Sequence, residues 1–345
     1  MSNKAQLPEN PFAAHQQLLR ERLHHLLSNL HPSLQSDVRR ALEEPGKLLC
    51  QSSDKAPSAS HSMPDGSWSL LTLLVAQHFS TDIDLAIASS VAVATECFAC
   101  ALDILDDVED EDQTPIIRDL GVARALNIST ALLTLAQHAF LSLSKASIRP
   151  AFILRLLGAM DEATLAATSG QHRDLLAEQR MAGDVTREEC IEIAASKAGA
   201  IMRFACLLGA ICAGASKAER AAFAEVGELI GIAHQLDNDA HDLYYLLESA
   251  DVSSGVSAER SVKTDLARGK KTLPIVLAAR MSSTLQKSSA LSDGEIQVNQ
   301  GVLREGIMAT WAISLLYRAR ANDRLRAIPS RKSLAPELLL LLGIE

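Results

Sequence analysis

"ALDILDDVEDED" (residues 101–112) is the stretch on which the reading of this chain turns. The segment before it, "ASSVAVATECFAC" (88–100), is almost entirely apolar or small. Seven acids then fall within ten positions: Asp103, Asp106, Asp107, Glu109, Asp110, Glu111 and Asp112. The hydrophobic period over 82–110 is helical, so a buried helix ends in mutually repelling carboxylates. Like charges four apart on a helix cost roughly 0.2–0.5 kcal/mol per pair. The stretch therefore needs an offset that it does not itself contain. Asp106 and Asp110 lie four apart and share a face, and Asp103 and Glu96 continue that stripe toward the N-terminus.

Outward from this stretch the helical period persists. It covers 11–30, 69–79, 82–110, 119–146, 150–180, 186–214, 217–249, 273–282 and 302–319. β-branched alternation is nearly absent, so the expected fold class is all-α, a bundle of at least eight helices with no sheet. Breakers fit between them: "STD" (80–82), "RPA" (149–151), "MAGD" (181–184), "GASK" (214–217) and "SADVSSG" (249–255). "TREE" (186–189) is a capping-box signature in which Thr186 caps and Glu189 reaches back. Residues 1–10 are expected to be a flexible N-terminus, 51–67 a mobile loop, and 11–345 one helical domain. A soft prior of about 150 residues per domain would allow two.

A net charge of −9 and an aromatic content of 3% argue against a nucleic-acid partner. The N-terminus "MSNKAQLPENPF" has no apolar core of a secretory signal. The apolar run 86–102 is broken by Glu96, so no uninterrupted run reaches the ~18 residues of a membrane span, and no transmembrane segment is expected. Six cysteines are scattered. Cys97 and Cys100 form a C-x-x-C without the second pair a zinc site needs, and read as small apolar residues of a helix. Free thiols suit a reducing cytoplasm.

A second acidic segment, "HQLDNDAHD" (234–242), lies on another expected helix. Asn238 and Asp242 are four apart there, with Asp239 beside them. Alone, either segment reads as a solvated helix end. Two oxygen-rich clusters on two apolar helices instead suggest a pair facing across a bundle cavity. Mg²⁺ prefers oxygen ligands and bridges one or two carboxylates to phosphate oxygens. The expected ligand is then a diphosphate whose organic part lies in the apolar bundle. "TDLARGKKTLP" (264–274) offers Arg268, Lys270 and Lys271 to close the site, with Lys271 pointing to solvent. Lys197 is a polar point in an apolar helix, either a snorkelling surface lysine or part of the site.

These motifs resemble those of the trans-isoprenyl diphosphate synthases, the polyprenyl synthetase family. "DDVED" (106–110) is similar to its DDxxD, "GQHRDL" (170–175) to GQxxDL, and "KAGAI" (197–201) to KTAxL. "QLDNDAHD" (235–242) resembles Q-x-x-D-D-x-x-D with Asn238 for the leading Asp, and "DLARGKKTLP" (265–274) resembles DLxEGKxTLP. Order and spacing agree over roughly 65–330. The resemblance implies an all-α isoprenoid-synthase bundle around a deep apolar cavity, a homodimer, and an allylic prenyl diphosphate bound through Mg²⁺. It implies Asp106, Asp107 and Asp110, and Asn238, Asp239 and Asp242, as metal ligands. It implies Lys197 and Lys270 on the leaving diphosphate, and Gln171, Asp174 and Gln235 lining the site.

The acceptor half of the family pattern is eroded. The basic GGKRxRP that would bind isopentenyl diphosphate is not intact. "EPGKLLC" (44–50) offers only Lys47, too far upstream, and the better-placed "DGSWSLLTLLVAQH" (65–78) has Ser67, Trp68 and Ser69 where basic residues belong. His78 matches the acceptor-site histidine. The arginine pair after the first motif is gone, leaving Arg118 and Arg124 as unaligned substitutes, and Lys263 sits near the family's penultimate lysine. The resemblance implies a prenyltransferase, with a pattern similar to the pheromone-modifying prenyltransferases, which also have an Asn-Asp second motif; the alternative is a terpene synthase of the same fold, which ionises a prenyl diphosphate and cyclises it. A non-catalytic subunit is disfavoured, because it has no need to tolerate the carboxylate repulsion. Leu102, Ala101 and Phe98, preceding Asp106 by four, five and eight residues, point into the cavity. Phe98 is the expected floor for a chain of about fifteen to twenty carbons, judged from helix rise.

Overall fold

The alternation of apolar helical runs and breakers builds an all-helical chain. In the computed structural model, which describes residues 10–50, 64–79, 83–146, 148–251, 268–328 and 335–344, no strand occurs among those residues. The expected flexible N-terminus, Lys263 and most of the expected loop over 51–67 lie outside them. The helices are α1 (Ala13–Leu27), α2 (Pro32–Leu42), α3 (Ser67–Phe79), α4 (Leu85–Glu109), α5 (Pro115–Leu120), α6 (Val122–Ser142), α7 (Pro150–Glu178) and α8 (Arg187–Ala194). A π-helical turn, Ala195–Gly199, leads into α9 (Ala200–Cys212). Then follow α10 (Lys217–Asp251), α11 (Leu273–Ala279), α12 (Ser283–Gln286), α13 (Asp293–Arg326) and α14 (Pro336–Leu342).

The apolar helix α4 is central, as its composition requires, and packs on α3, α6 and α9. Asp84 caps it, accepting from the N–H groups of Ala86 (2.9 Å) and Ile87 (3.2 Å), which satisfies two donors the helix cannot. From Ala88 to Ala101 every residue is buried. The helix stops where Glu111 adopts φ +55, and the Asp112 N–H bonds back to the Asp107 carbonyl at 2.8 Å. Non-glycine residues rarely take this conformation. The long α10 packs between α9 and α13.

The elements differ from expectation where caps or packing outweigh the hydrophobic period. Helix α2 was not foreseen; Pro32 starts it and His31 caps it. Helix α13 begins at Asp293 rather than 302, because Ser292 and Glu295 form a reciprocal capping box. The run 186–214 is split by the π-helical turn. Thr186 does cap α8, accepting from the Glu189 N–H (3.1 Å), but the Glu189 carboxylate pairs with Arg180 at 2.6 Å instead of reaching back.

The expectation about membrane-length segments is corrected. Three described helical stretches, Leu85–Glu109, Val122–Lys145 and Arg187–Cys212, are long and apolar enough by length and composition to cross a membrane. Glu96 interrupts the apolar run in sequence, yet a 25-residue helix carries it and 78% of that helix's apolar window is buried inside the protein.

Candidate active site

Three segments converge on the end of α4. The π-helical turn brings Lys197, whose Nζ lies 2.9 Å from Asp174 Oδ2 and 3.0 Å from Asp106 Oδ1 and donates to Gln171 Oε1 at 2.5 Å. The segment before α11 brings Lys270, 2.6 Å from Asp110 Oδ2. Gln171 Nε2 donates to Asp110 Oδ1 at 2.9 Å, linking α7 to α4. Arg268 lies 3.6 Å from Glu178 and donates to the Glu109 carbonyl at 3.4 Å. Its Nη1 is buried with no hydrogen-bond partner among the described residues.

Two glycines make this convergence fit. A Cβ on Gly170 would fall 2.7 Å from the Ser196 Cβ and 3.1 Å from Lys197 Cγ. A Cβ on Gly231 of α10 would fall 2.6 Å from the Gly199 Cα. The wide π turn carrying Lys197 is thus wedged between α7 and α10, and only bare backbone lets it enter. Such π turns recur at functional sites.

The acid cluster is therefore not without internal counterions, contrary to the sequence expectation. Lysine ammoniums meet Asp106 and Asp110 directly. Burial pushes the Asp106 carboxyl up to about 6, against the pull of Lys197 and with help from Asp110. Burial likewise pushes Asp107 up to about 7, with Asp103, Asp112 and Asp106 adding to it. Asp110 is also buried, but Lys270, Lys197 and Gln171 outweigh burial and hold it below the usual carboxylate range. Lys197 is raised, because Asp174 and Asp106 outweigh its burial.

On α10, Gln235 Nε2 donates to Asp239 Oδ1 at 2.9 Å. Burial pushes Asp239 up to about 7, with Asp174 adding and Lys270 opposing, so both lie within electrostatic reach. Asn238 and Asp242 are exposed, one turn apart on that helix. Among the described residues no three His, Cys, Asp or Glu side chains converge as a ready cage for a metal ion. Ala101 and Phe98 are fully buried and Leu102 is half-buried above them. The Phe98 ring packs on Phe204 of α9, centroids 4.7 Å apart.

Several expectations are corrected. Lys271 does not point to solvent; it is 4% exposed and donates to the carbonyls of Glu178 (3.2 Å), Ser289 (2.6 Å) and Gly269. His78, matched to an acceptor-site histidine, sits at the end of α3 on Phe79 and on Phe223 near the start of α10, centroids 5.2 and 5.6 Å away. Asn238 lies fifteen residues further along that helix, about 22 Å at 1.5 Å per residue. Arg118 pairs with Asp119, and Arg124 with Asp37 of α2. Glu96 does not continue the acidic stripe. It is buried, accepting from the N–H groups of Leu48 (2.9 Å) and Ser69 (3.1 Å) and from the Ser69 hydroxyl (2.9 Å). Asp103 turns to Lys47, the lysine set aside on spacing. Glu178 was missed, although Gln171, Asp174 and Glu178 repeat at i, i+3 and i+7 on α7, a helical-face signal present in the sequence.

A family model described as polyprenyl synthetase matches residues 68–300. The chain belongs to the polyprenyl synthetase family. Among characterised relatives it is 29% identical over 210 residues to a short chain isoprenyl diphosphate synthase of Methanothermobacter thermautotrophicus, covering 59% of this chain and 60% of that one. It is 32% identical over 174 residues to a (2E,6E)-farnesyl diphosphate synthase of Mycobacterium tuberculosis, covering 50% and 44%. It is 31% identical over 155 residues to the tryptophan prenyltransferase ComQ of Bacillus spizizenii, covering 45% and 50%. The match thus spans less than two-thirds of each of these polyprenyl synthetase relatives. A crystal structure of a polyprenyl synthetase from Streptomyces coelicolor superposes with a TM-score of 0.73 at 21% identity over 96% of this chain and 97% of that one, which shows the all-α isoprenoid synthase fold.

Proposed function

We propose that this protein is a Mg²⁺-dependent prenyltransferase that ionises an allylic prenyl diphosphate of about fifteen to twenty carbons, the length following from helix rise. One observation carries this reading: Lys197 and Lys270 converge on Asp106 and Asp110 beside Gln171 and Asp174. Family membership and the printed activities of the relatives support it.

The donor set fits Mg²⁺. Its side chains are oxygen ligands, and Asp106, Asp107 and Asp239 are held above their ordinary range by burial, so a cation that ionises them is favoured. Mg²⁺ keeps several waters and takes one or two carboxylates plus substrate phosphate oxygens, so a closed protein cage is not required. Asp106, Asp107 and Asp110 would hold it on one side, and Asn238, Asp239 and Asp242 on the other. When bound, it supplies charge that stabilises the departing diphosphate. This chain's own residues do the rest. The ammoniums of Lys197 and Lys270 bind phosphate oxygens, and the Arg268 Nη1, which has no hydrogen-bond partner among the described residues, offers a further donor. Gln171 and Asp174 orient Lys197. The apolar helices below exclude water, and the Phe98–Phe204 pair limits chain length.

The acceptor stands against the relatives' two chemistries, chain elongation and tryptophan prenylation. Incubation of the purified protein and Mg²⁺ with allylic diphosphates, with and without isopentenyl diphosphate, followed by mass spectrometry of the products, tests the reading. Prenyl-transfer products support it, and intact substrate in every mixture overturns it. We also read 11–345 as one domain acting as a homodimer in the cytoplasm. Exposed Val122, Leu126 and Leu141 on α6 and Leu154 and Leu165 on α7 support self-association, and free cysteines support a reducing compartment. Light scattering on the purified protein checks the dimer.

A further inference from the structure

The acidic end of α4 has two faces. Asp106 and Asp110 turn to Lys197 and Lys270. Asp103, one turn before Asp107, turns the other way and pairs with Lys47. Lys47 is not a loose surface lysine. Its side chain is 14% exposed. The backbone that carries it is pinned on both sides: Leu48 N–H to Glu96 at 2.9 Å, Gly46 N–H to Asp65 at 2.9 Å, and the Gly46 carbonyl to Gly66 N–H at 2.9 Å. Glu96 is anchored in turn by Ser69 on α3. Lys47 is thus a fixed, largely buried cation one turn of α4 from Asp106 and Asp107.

Its ammonium is already paired. Asp103 supplies the carboxylate, and its side chain is 41% exposed, so the pair borders an open face. The other charges acting on Asp107 there are Asp112, Asp106 and Glu44. Those acting on Glu44 are Lys47, Asp103 and Arg40, and Arg40 is itself paired with Asp119. Among the described residues the face therefore carries a surplus of carboxylates around one paired lysine. A second diphosphate arriving here would meet like charge and would have to displace Asp103, whereas charged and polar groups across an interface discriminate by several kcal/mol when like signs are juxtaposed.

We propose that Asp103 determines acceptor specificity: its carboxylate takes the place on Lys47 that an acceptor's diphosphate would fill, so the face selects an acceptor without a diphosphate that presents N–H or O–H donors to Asp103 and Glu44. This rests on the prenyl-transfer reading. In the transfer, the allylic C1–O bond breaks with its electron pair going to diphosphate. A nucleophilic atom of the acceptor bonds to C1, and the proton it sheds passes to the released diphosphate.

The test uses farnesyl diphosphate as donor and isopentenyl diphosphate as acceptor. Chain-elongated product is measured for the wild type, Asp103→Asn, Asp103→Leu, and Asp103→Asn combined with Lys47→Gln. Diphosphate release from the donor alone is followed in parallel. Freeing Lys47 should raise kcat/KM for isopentenyl diphosphate about tenfold or more in either single variant, the scale of a like-charge penalty, and the gain should vanish in the double variant. No gain in a folded single variant, a gain that survives the loss of Lys47, or efficient elongation by the wild type overturns the proposal. Two single variants guard against one failing to fold. Absence of diphosphate release from any allylic donor is a different result: it removes the prenyl-transfer reading itself.

Discussion

Lys197 Nζ lies 3.0 Å from Asp106 Oδ1, so the π-helical turn and the end of α4 meet through one ion pair. The same ammonium holds Asp174 at 2.9 Å. A lysine shared between two carboxylates is pre-placed for the phosphate oxygens that would join them. Removing one pre-organised donor to developing negative charge typically costs about 10²–10³ in kcat. Lys197→Ala is therefore expected to cut diphosphate release by about that factor while circular dichroism stays helical. Lys197→Arg, too bulky against Gly170, should rescue little. Full turnover by Lys197→Ala would remove this lysine from the site.

Adjacent lysines separate function from folding. Lys270 meets Asp110 at 2.6 Å, whereas Lys271 is buried among three backbone carbonyls. Lys270→Ala should lose turnover with little change in thermal midpoint. Lys271→Ala leaves buried acceptors unsatisfied, at about 1–3 kcal/mol in total, the cost of an unmade buried hydrogen-bond partner. It should lower the denaturation midpoint first. Urea titration beside a steady-state assay distinguishes them, and the reverse pattern contradicts these placements.

The raised carboxyls give a pH signature to the metal-free protein. Asp106 at about 6 and Asp107 and Asp239 at about 7 all stand above their ordinary 3.8. The fold thus favours their protonated forms. Their contribution to stability is complete below the ordinary value and is lost as pH rises through 6 to 7. Mg²⁺ with diphosphate should reverse that loss, so the thermal shift it produces should be larger above pH 7 than below pH 6. Equal shifts at both would mean that these carboxyls do not meet the cation.

Phe98 is fully buried against Phe204. As the floor of a chain-length pocket, Phe98→Ala should yield longer or bulkier products, and Ala101→Phe shorter ones. As core alone, Phe98→Ala would cost about 3–5 kcal/mol with an unchanged product profile. Chromatography of products beside a melting curve decides between them.

Most of the helices and the convergence of the four acidic and basic segments were legible in the sequence, because apolar period and motif order carry that information. What was not legible depends on three-dimensional routing. Lys47 lies 56 residues from Asp103 in the chain yet pairs with it, and spacing alone pointed away from it. Lys271 read as a solvent neighbour, because nothing local tells that three carbonyls surround it. His78 matched a motif position, but α3 carries it to the far end of α10. Glu178 is different: its place on the Gln171–Asp174 face follows from the helical period alone.

The central claim is that paired carboxylates and lysines at the end of α4 ionise an allylic diphosphate with Mg²⁺. The most direct measurement is diphosphate release from farnesyl diphosphate by the wild type and by Asp106→Asn, each with Mg²⁺ and with excess EDTA. The account predicts release by the wild type with Mg²⁺ alone, and loss of that release in Asp106→Asn at unchanged helicity. Release that persists in EDTA, or in Asp106→Asn at the wild-type rate, would contradict it.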